Sequence, residues 1–207
     1  MPDTPLLIAG LGNPGAEYAR NRHNAGFMAV DVIHGSYKFS PWRARFQGQL
    51  SEGSLGGRKT YLLKPMTYMN DSGHSVGAAA RFLKLLPSAV VVMHDEIDLA
   101  ASKLKAKTGG GDAGHNGLRS ITAALGPDYR RVRIGVGHPG GKDRVHGHVL
   151  QNFSKADEEW LVPVLTAIAE AAPLLAENDL IGFMNKAALS LHPPEKKPKP
   201  DIEKDRD

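Results

Sequence analysis

Most of the residue types able to do chemistry fall in five short polar clusters. They are Asn13 in "GNPG", His23 in "RNRHNAG", Tyr68 and Asn70 in "MTYMN", Asp95 in "HDEIDL", and His115 and Asn116 in "GGGDAGHNG". A histidine beside a carboxylate makes a general base. The acid accepts from one ring nitrogen, fixes the tautomer and stabilises the imidazolium that forms. His23 and Asp95 suit that pairing, and Asn13, Asn70 and Asn116 offer neutral amides that bind a carbonyl or a water without adding charge. Each residue also has an ordinary structural use. Histidine and aspartate cap helices, asparagine fills turns, Tyr18 and Tyr68 can be packing residues, and Gly109–Gly111 can be a plain linker. The residue types alone reach a hydrolytic site beside a basic surface, and no substrate.

Other chemistries fit less well. Gly10, Gly12 and Gly15 spell G-x-G-x-x-G, the spacing that cradles a dinucleotide pyrophosphate. That fingerprint needs its third glycine at the start of a helix on the sheet, with an acidic residue about 20 positions on. Here Pro14-Gly15 is first a turn signal, "AEYARNRHN" is polar on every face, and Asp31 falls inside the next predicted helix. The glycines read instead as a tight strand exit that presents Asn13. "GGGDAGHNG" lacks the Gly-Lys-Ser/Thr of a nucleoside-triphosphate loop, no G-x-S-x-G elbow or H-E-x-x-H occurs, and His146-Gly-His148 alone is a poor metal site.

These clusters need a scaffold. Alternating short apolar runs and helix-period segments predict an α/β domain. Strands are expected over 6–10, 59–64, 89–94, 103–107 and 130–137, with another over 46–52 that puts Phe46, Gly48 and Leu50 on one face. Helices are expected over about 24–34, 72–86, 117–125, 154–177 and 180–190. In the second, Val76, Ala79, Ala80, Leu83 and Leu86 make one buried stripe, with Ser72 or Asp71 as cap. Ser154 caps the fourth, which Pro163 either starts or kinks. Four polar clusters then lie at strand ends or in the loops after them, and the fifth opens a helix. The carboxyl edge of an α/β sheet is where ligands bind.

The 207 residues suit one sizeable domain, on a prior of roughly 100–200 residues each. Residues 1–191 are assigned to it, and the proline-rich, charged 192–207 to a disordered tail. With no cysteine, disulfides, thiolate zinc and a cysteine nucleophile are excluded. "MPDTP" lacks the basic start of a signal peptide, and no stretch is expected to reach the roughly 18 apolar residues of a membrane span. The expectation is a soluble, cytoplasmic protein. The net charge of +4 is unevenly spread: residues 99–150 carry nine basic and three acidic groups. Such a stretch suggests a polyanionic partner, or an ordinary solvated surface.

In order along the chain, "GLGNPGAEYARNRHNAG", "KPMTYMNDSG", "HDEIDL", "KAKTGGGDAGHNGLRSI" and "RVRIGVGHPG" resemble the motifs of bacterial peptidyl-tRNA hydrolases over about residues 6–190. The resemblance implies a monomeric α/β/α sandwich with a mixed, mostly parallel central sheet, using neither metal nor organic cofactor. It implies hydrolysis of the ester joining an N-blocked peptide to the 3′ ribose of tRNA, recycling tRNA from aborted translation. On this resemblance His23 is the general base, Asp95 its orienting partner, and Asn13 the residue that recognises the blocked substrate. Tyr18, Tyr68, Asn70, His115 and Asn116 are substrate contacts. Lys107 and Arg133, in a basic stretch with Lys103 and Lys105, are contacts to tRNA phosphate. Asp112 departs from the pattern and is expected to weaken phosphate attraction nearby. The main rival is a catalytically silent RNA-binding relative of the same fold. A nucleotide-cofactor enzyme stands third.

Overall fold

The computed structural model describes residues 4–193. Its centre is a seven-stranded sheet of β1 (Leu6–Gly10), β2 (Arg43–Arg45), β3 (Gly48–Leu55), β4 (Arg58–Pro65), β5 (Val90–Glu96), β6 (Leu104–Thr108) and β7 (Arg130–Gly135). Their order is β2-β3-β4-β1-β5-β7-β6. Strands β4, β1, β5 and β7 run parallel, while β3 and β6 pair antiparallel with their neighbours.

Helices cover both faces, which is why the central strands β1 and β5 are buried at every position rather than at alternate ones. In β1, Leu6 and Ile8 face α1 (Ala25–Ser36), α5 (Lys155–Ala176) and α6 (Leu180–Leu191), in a core with Ile33, Ile168 and Phe183. Leu7 and Ala9 face α2 (Ser72–Phe82) and α3 (Asn116–Leu125), with Val76, Leu118 and Ile121. The expected α/β/α sandwich with a mixed, mostly parallel sheet is what forms.

Four local expectations need correction. Helix α2 stops at Phe82, because Lys84 turns left-handed (φ 54°) and Leu85 N–H returns to the Ala80 carbonyl. This is a Schellman ending, whose hydrophobic contact falls to the residue after the left-handed one. Leu85 therefore packs inward, and Leu86, expected in the buried stripe, is 72% exposed. Neither Asp71 nor Ser72 caps α2 with its side chain; a 3-10 turn, Met69–Asp71, feeds the helix instead. Phe46 belongs to no strand, since it and Gln47, both at positive φ, make the tight turn joining β2 to β3. Finally, α5 is long and apolar enough to cross a membrane. Leu161, Val164, Leu165, Ile168 and Leu175 of that helix are buried in the protein's own core. Ser154 caps α5 as expected, reciprocated by Asp157, and the helix continues through Pro163 and Pro173. A short helix that no expectation covered, α4, spans Lys142–Val149. The assigned tail lies outside the described residues from 194 onward.

Candidate active site

Glycine contacts carry the backbone of the site. A Cβ on Gly10 would run into the Gly26 carbonyl, and one on Gly26 into the backbone of Met93 and Leu11. Only bare backbone lets the start of α1 press this closely on the ends of β1 and β5. Phe27 N–H donates to the Leu11 carbonyl and Leu11 N–H to that of Met93, closing the junction. His23, in a 3-10 turn (Arg22–Asn24) just before α1, is thereby brought over Asp95, two residues past Met93.

Asp95 is 2% exposed and holds His23 through Nδ1, at 2.9 Å from Oδ1 and 3.0 Å from Oδ2. That leaves the His23 Nε2 for the adjoining cleft, a cavity of about 480 Å³. Burial disfavours the imidazolium, but the charge and hydrogen bond of Asp95 outweigh it, and the His23 pKa lies above its usual value. Burial alone would raise Asp95; the two imidazoles against it, His23 and then His115, instead hold it well below the usual carboxylate range.

His115 does not simply face the cleft. Its Nε2 is 3.0 Å from Asp95 Oδ1, and its Nδ1 accepts from the backbone N–H groups of Gly117 and Leu118, capping α3. Behind Asp95, His94 is fully buried, and its Nδ1 donates to the Asp95 carbonyl at 2.6 Å.

The asparagines divide among neighbouring hollows. Asn13 is buried, and its Oδ1 accepts from Met69 N–H at 2.8 Å, so its amide NH2 remains available as a donor. Asn24 clamps the Asn13 backbone from both sides, at 2.9 and 3.0 Å. Asn13 lines a hollow of about 260 Å³ with Phe27, Met28 and Lys64. Asn116 joins the main cleft to a second hollow, shared with Asn70, His74 and Arg119. Tyr68 is 62% exposed beside Asn70, and Tyr18 is half-buried in the turn Ala16–Tyr18. The described contacts place neither tyrosine against His23.

Lys105 and Lys107 pair in register with Arg133 and Arg131, so four cations share one face of the sheet edge. Burial and the two arginines lower the Lys107 pKa, while Arg133 donates to Glu96 Oε2 at 2.9 Å. The basic stretch is less of a surface than its composition implies. Arg130 is buried, with its Nε and Nη1 given to the carbonyls of Ser88 and Leu175; burial and then Arg58 push its pKa down to about 10. Arg131 is also buried and donates to the carbonyls of Gly110 and Gly111, so the glycine run is anchored rather than a loose linker. Asp112 is spent the same way, 3.6 Å from Arg131 and accepting from Thr122 Oγ1 at 2.7 Å. Its charge is set against Arg131 and Thr122 inside the protein.

Sequence reasoning missed the parts that hold the site. Arg22 binds the Asn152 carbonyl and Asp157, and Asn21 bonds Asn152, stitching the His23 turn to the entry of α5. Helix α4 lines the cleft with Lys142, Val145 and His146. The one available signal was Val145 and Val149, four apart on a single face. Asn24 carried no signal of its own beyond its place in "RHNAG".

Among the described residues, His23, Asp95 and His115 form the one cluster with donor atoms close enough, within 4.8 Å, to grip a metal ion. The donor chemistry is a poor fit. The His115 Nδ1 is already an acceptor, so its Nε2 carries the proton, and Asp95 Oδ1 is shared by two imidazoles. A cation would have to displace both contacts.

Fold and site together define an α/β protein with a His23–Asp95 pair beside a cleft at the carboxyl edge of the sheet. The family model described as peptidyl-tRNA hydrolase matches residues 7–198. A peptidyl-tRNA hydrolase from Parvibaculum lavamentivorans is 61% identical over 196 residues, 94% of this chain and 96% of its own length. One from Granulibacter bethesdensis is 60% identical, covering 90% of this chain and 97% of its own. The crystal structure of peptidyl-tRNA hydrolase from Acinetobacter baumannii superposes with a TM-score of 0.85 at 40% identity, over 90% of this chain and 96% of that one. The chain belongs to the peptidyl-tRNA hydrolase family, and it is a hydrolase.

Proposed function

We propose that this protein hydrolyses the ester between an N-blocked peptide and the 3′ ribose of tRNA, with His23 as general base. One observation carries the reading: both oxygens of a buried Asp95 hold His23 Nδ1, leaving Nε2 toward an open cleft. His23 Nε2 takes a proton from water as the water oxygen attacks the ester carbonyl. The tetrahedral oxyanion is held by amide donors: Asn116 lines the cleft, and Asn70 lines the hollow that adjoins it at Asn116. The carbon–oxygen bond breaks, the 3′ oxygen leaves with the proton from His23, and the peptide departs as a carboxylic acid that gives its remaining proton to solvent. General-base help of this kind contributes about 10²–10⁴ in rate.

Asn13 sorts substrates. With its Oδ1 committed to Met69 N–H, its NH2 donates to the carbonyl of a blocked amino group. Aminoacyl-tRNA, with a free and mostly charged amine, leaves that donor unpaired, and a buried unpaired donor rejects strongly. Tyr18 and Tyr68 bear on the substrate's ends, and Lys107 and Arg133 on tRNA phosphate. A monomer working in the cytoplasm, without metal or organic cofactor, completes the reading.

The test is release of an N-acetylated aminoacyl group from tRNA by the wild type and His23→Ala, with chelator present. Fast release, lost in the variant and indifferent to chelator, is the expected result. A wild type that binds tRNA without releasing the acyl group overturns the reading in favour of a silent RNA-binding protein.

A further inference from the structure

Asp95 has two imidazole partners, and the proposed mechanism uses only one. The second, His115, has its tautomer fixed by the backbone. Its Nδ1 faces the N–H groups of Gly117, at 3.2 Å, and Leu118, at 3.4 Å. Both are donors, so Nδ1 must be the bare nitrogen and Nε2 must carry the hydrogen. Nε2–H therefore donates to Asp95 Oδ1, the same oxygen that lies 2.9 Å from His23 Nδ1. Protonating His115 would break the cap of α3. The helix start thus fixes which ring nitrogen faces Asp95.

We infer that His115 is a positioning residue that acts through Asp95, steering the carboxylate and taking up part of its charge so that His23 stays a base near neutral pH. This rests on reading His23 as the base. A carboxylate oxygen shared between two N–H donors has less negative charge to offer either one. Without the His115 hydrogen bond, Asp95 would favour the His23 imidazolium more strongly, and a larger share of His23 would be protonated and idle. Other charged and titratable groups also surround the pair. They are His94 and Arg131 behind Asp95, and Glu96, Asp98, His138, Lys142 and His146 around the cleft.

Two substitutions separate the roles of the ring. In His115→Asn the amide oxygen falls near the place of Nδ1, and asparagine is a favoured cap, but it does not reach Asp95. In His115→Gln the longer amide puts an N–H near the place of Nε2. The readouts are the acid limb of kcat/KM against pH, the NMR titration of the His23 ring, and the melting temperature. In His115→Asn the limb and the His23 titration should both move up by about half a pH unit, with kcat down about tenfold, KM little changed and melting nearly kept. In His115→Gln both midpoints should return toward the wild type while the melting temperature drops. The inference is overturned if His115→Asn leaves both midpoints in place and raises only KM, or if His115→Gln moves them as far as His115→Asn does. The NMR titration needs no turnover. A protein that failed to hydrolyse its substrate would sink the catalytic reading while still reporting on this hydrogen bond.

Discussion

His23 can accept a proton only while its Nε2 is bare, so its titration sets the lower edge of the working pH range. Burial and Asp95 push that titration in opposite directions, and Asp95 prevails. The acid limb of kcat/KM should therefore lie above 6.5, the ordinary imidazole value. Asp95→Asn removes the charge and leaves burial acting alone. The limb should then drop below 6.5, while kcat falls about 10²–10⁴-fold as the ring loses its fixed tautomer. A limb that stays put in Asp95→Asn would mean the profile reports some other group. At this scale the sequence was half legible. His23, Asp95 and the three asparagines stood out because the chemistry calls for their side-chain types. Asn24, His94 and Arg22 did not, because what matters in them is a partner chosen by the fold: a neighbour's backbone, a buried carbonyl, an acid 135 positions away.

Between elements, α1 presses on the ends of β1 and β5 with only glycine backbone between them. Gly26→Ala places a methyl group against backbone atoms of Met93 and Leu11, neither of which can rotate away. Helix α1 would have to lift, carrying the His23 turn off Asp95. Overpacking costs typically about 1–3 kcal/mol, and a backbone clash belongs at the upper end. Urea unfolding should show a loss of about 3 kcal/mol, together with loss of turnover. Full activity in Gly26→Ala would show that the catalytic pair does not depend on this contact. At the other edge, β6 and β7 set Lys105, Lys107, Arg131 and Arg133 on one face, but Arg131 is consumed internally. Lys107→Ala should reduce the slope of log K against log salt for tRNA binding by about 1, and Arg131→Ala should act mainly on stability. The strands and long helices were legible because burial on both sides writes apolar runs and stripes into the chain. Strand β2, exposed at all three positions, and α4, two turns long after a glycine-rich approach, leave too little pattern to read. The end of α2 was misplaced because a left-handed lysine does the work usually given to glycine.

For the molecule as a whole, the buried histidine behind the site ties stability to pH. Burial, with His115 adding to it, pushes the His94 pKa down to about 3. In the unfolded chain the same ring titrates near 6.5. Between those values the unfolded state holds a proton that the native state refuses, so acid favours unfolding. His23 has the opposite sign. Its raised pKa adds stability that is complete below 6.5 and fades as pH rises through the folded value, so it adds no slope on the acid side. The depressed Asp95 protects the fold down to its unfolded value of 3.8 and is lost only below that. From pH 6 to 4.5, then, His94 should be the main contributor among the three, with a limiting slope of about 1.4 kcal/mol per pH unit for one proton. Urea unfolding at pH 7.0, 6.0 and 5.0 measures it directly. His94→Gln, which cannot titrate, should start less stable because it disturbs a filled site, yet lose less stability on acidification. The comparison uses slopes, so the starting penalty cancels. Parallel wild-type and variant lines would mean that the acid sensitivity belongs to another part of the fold.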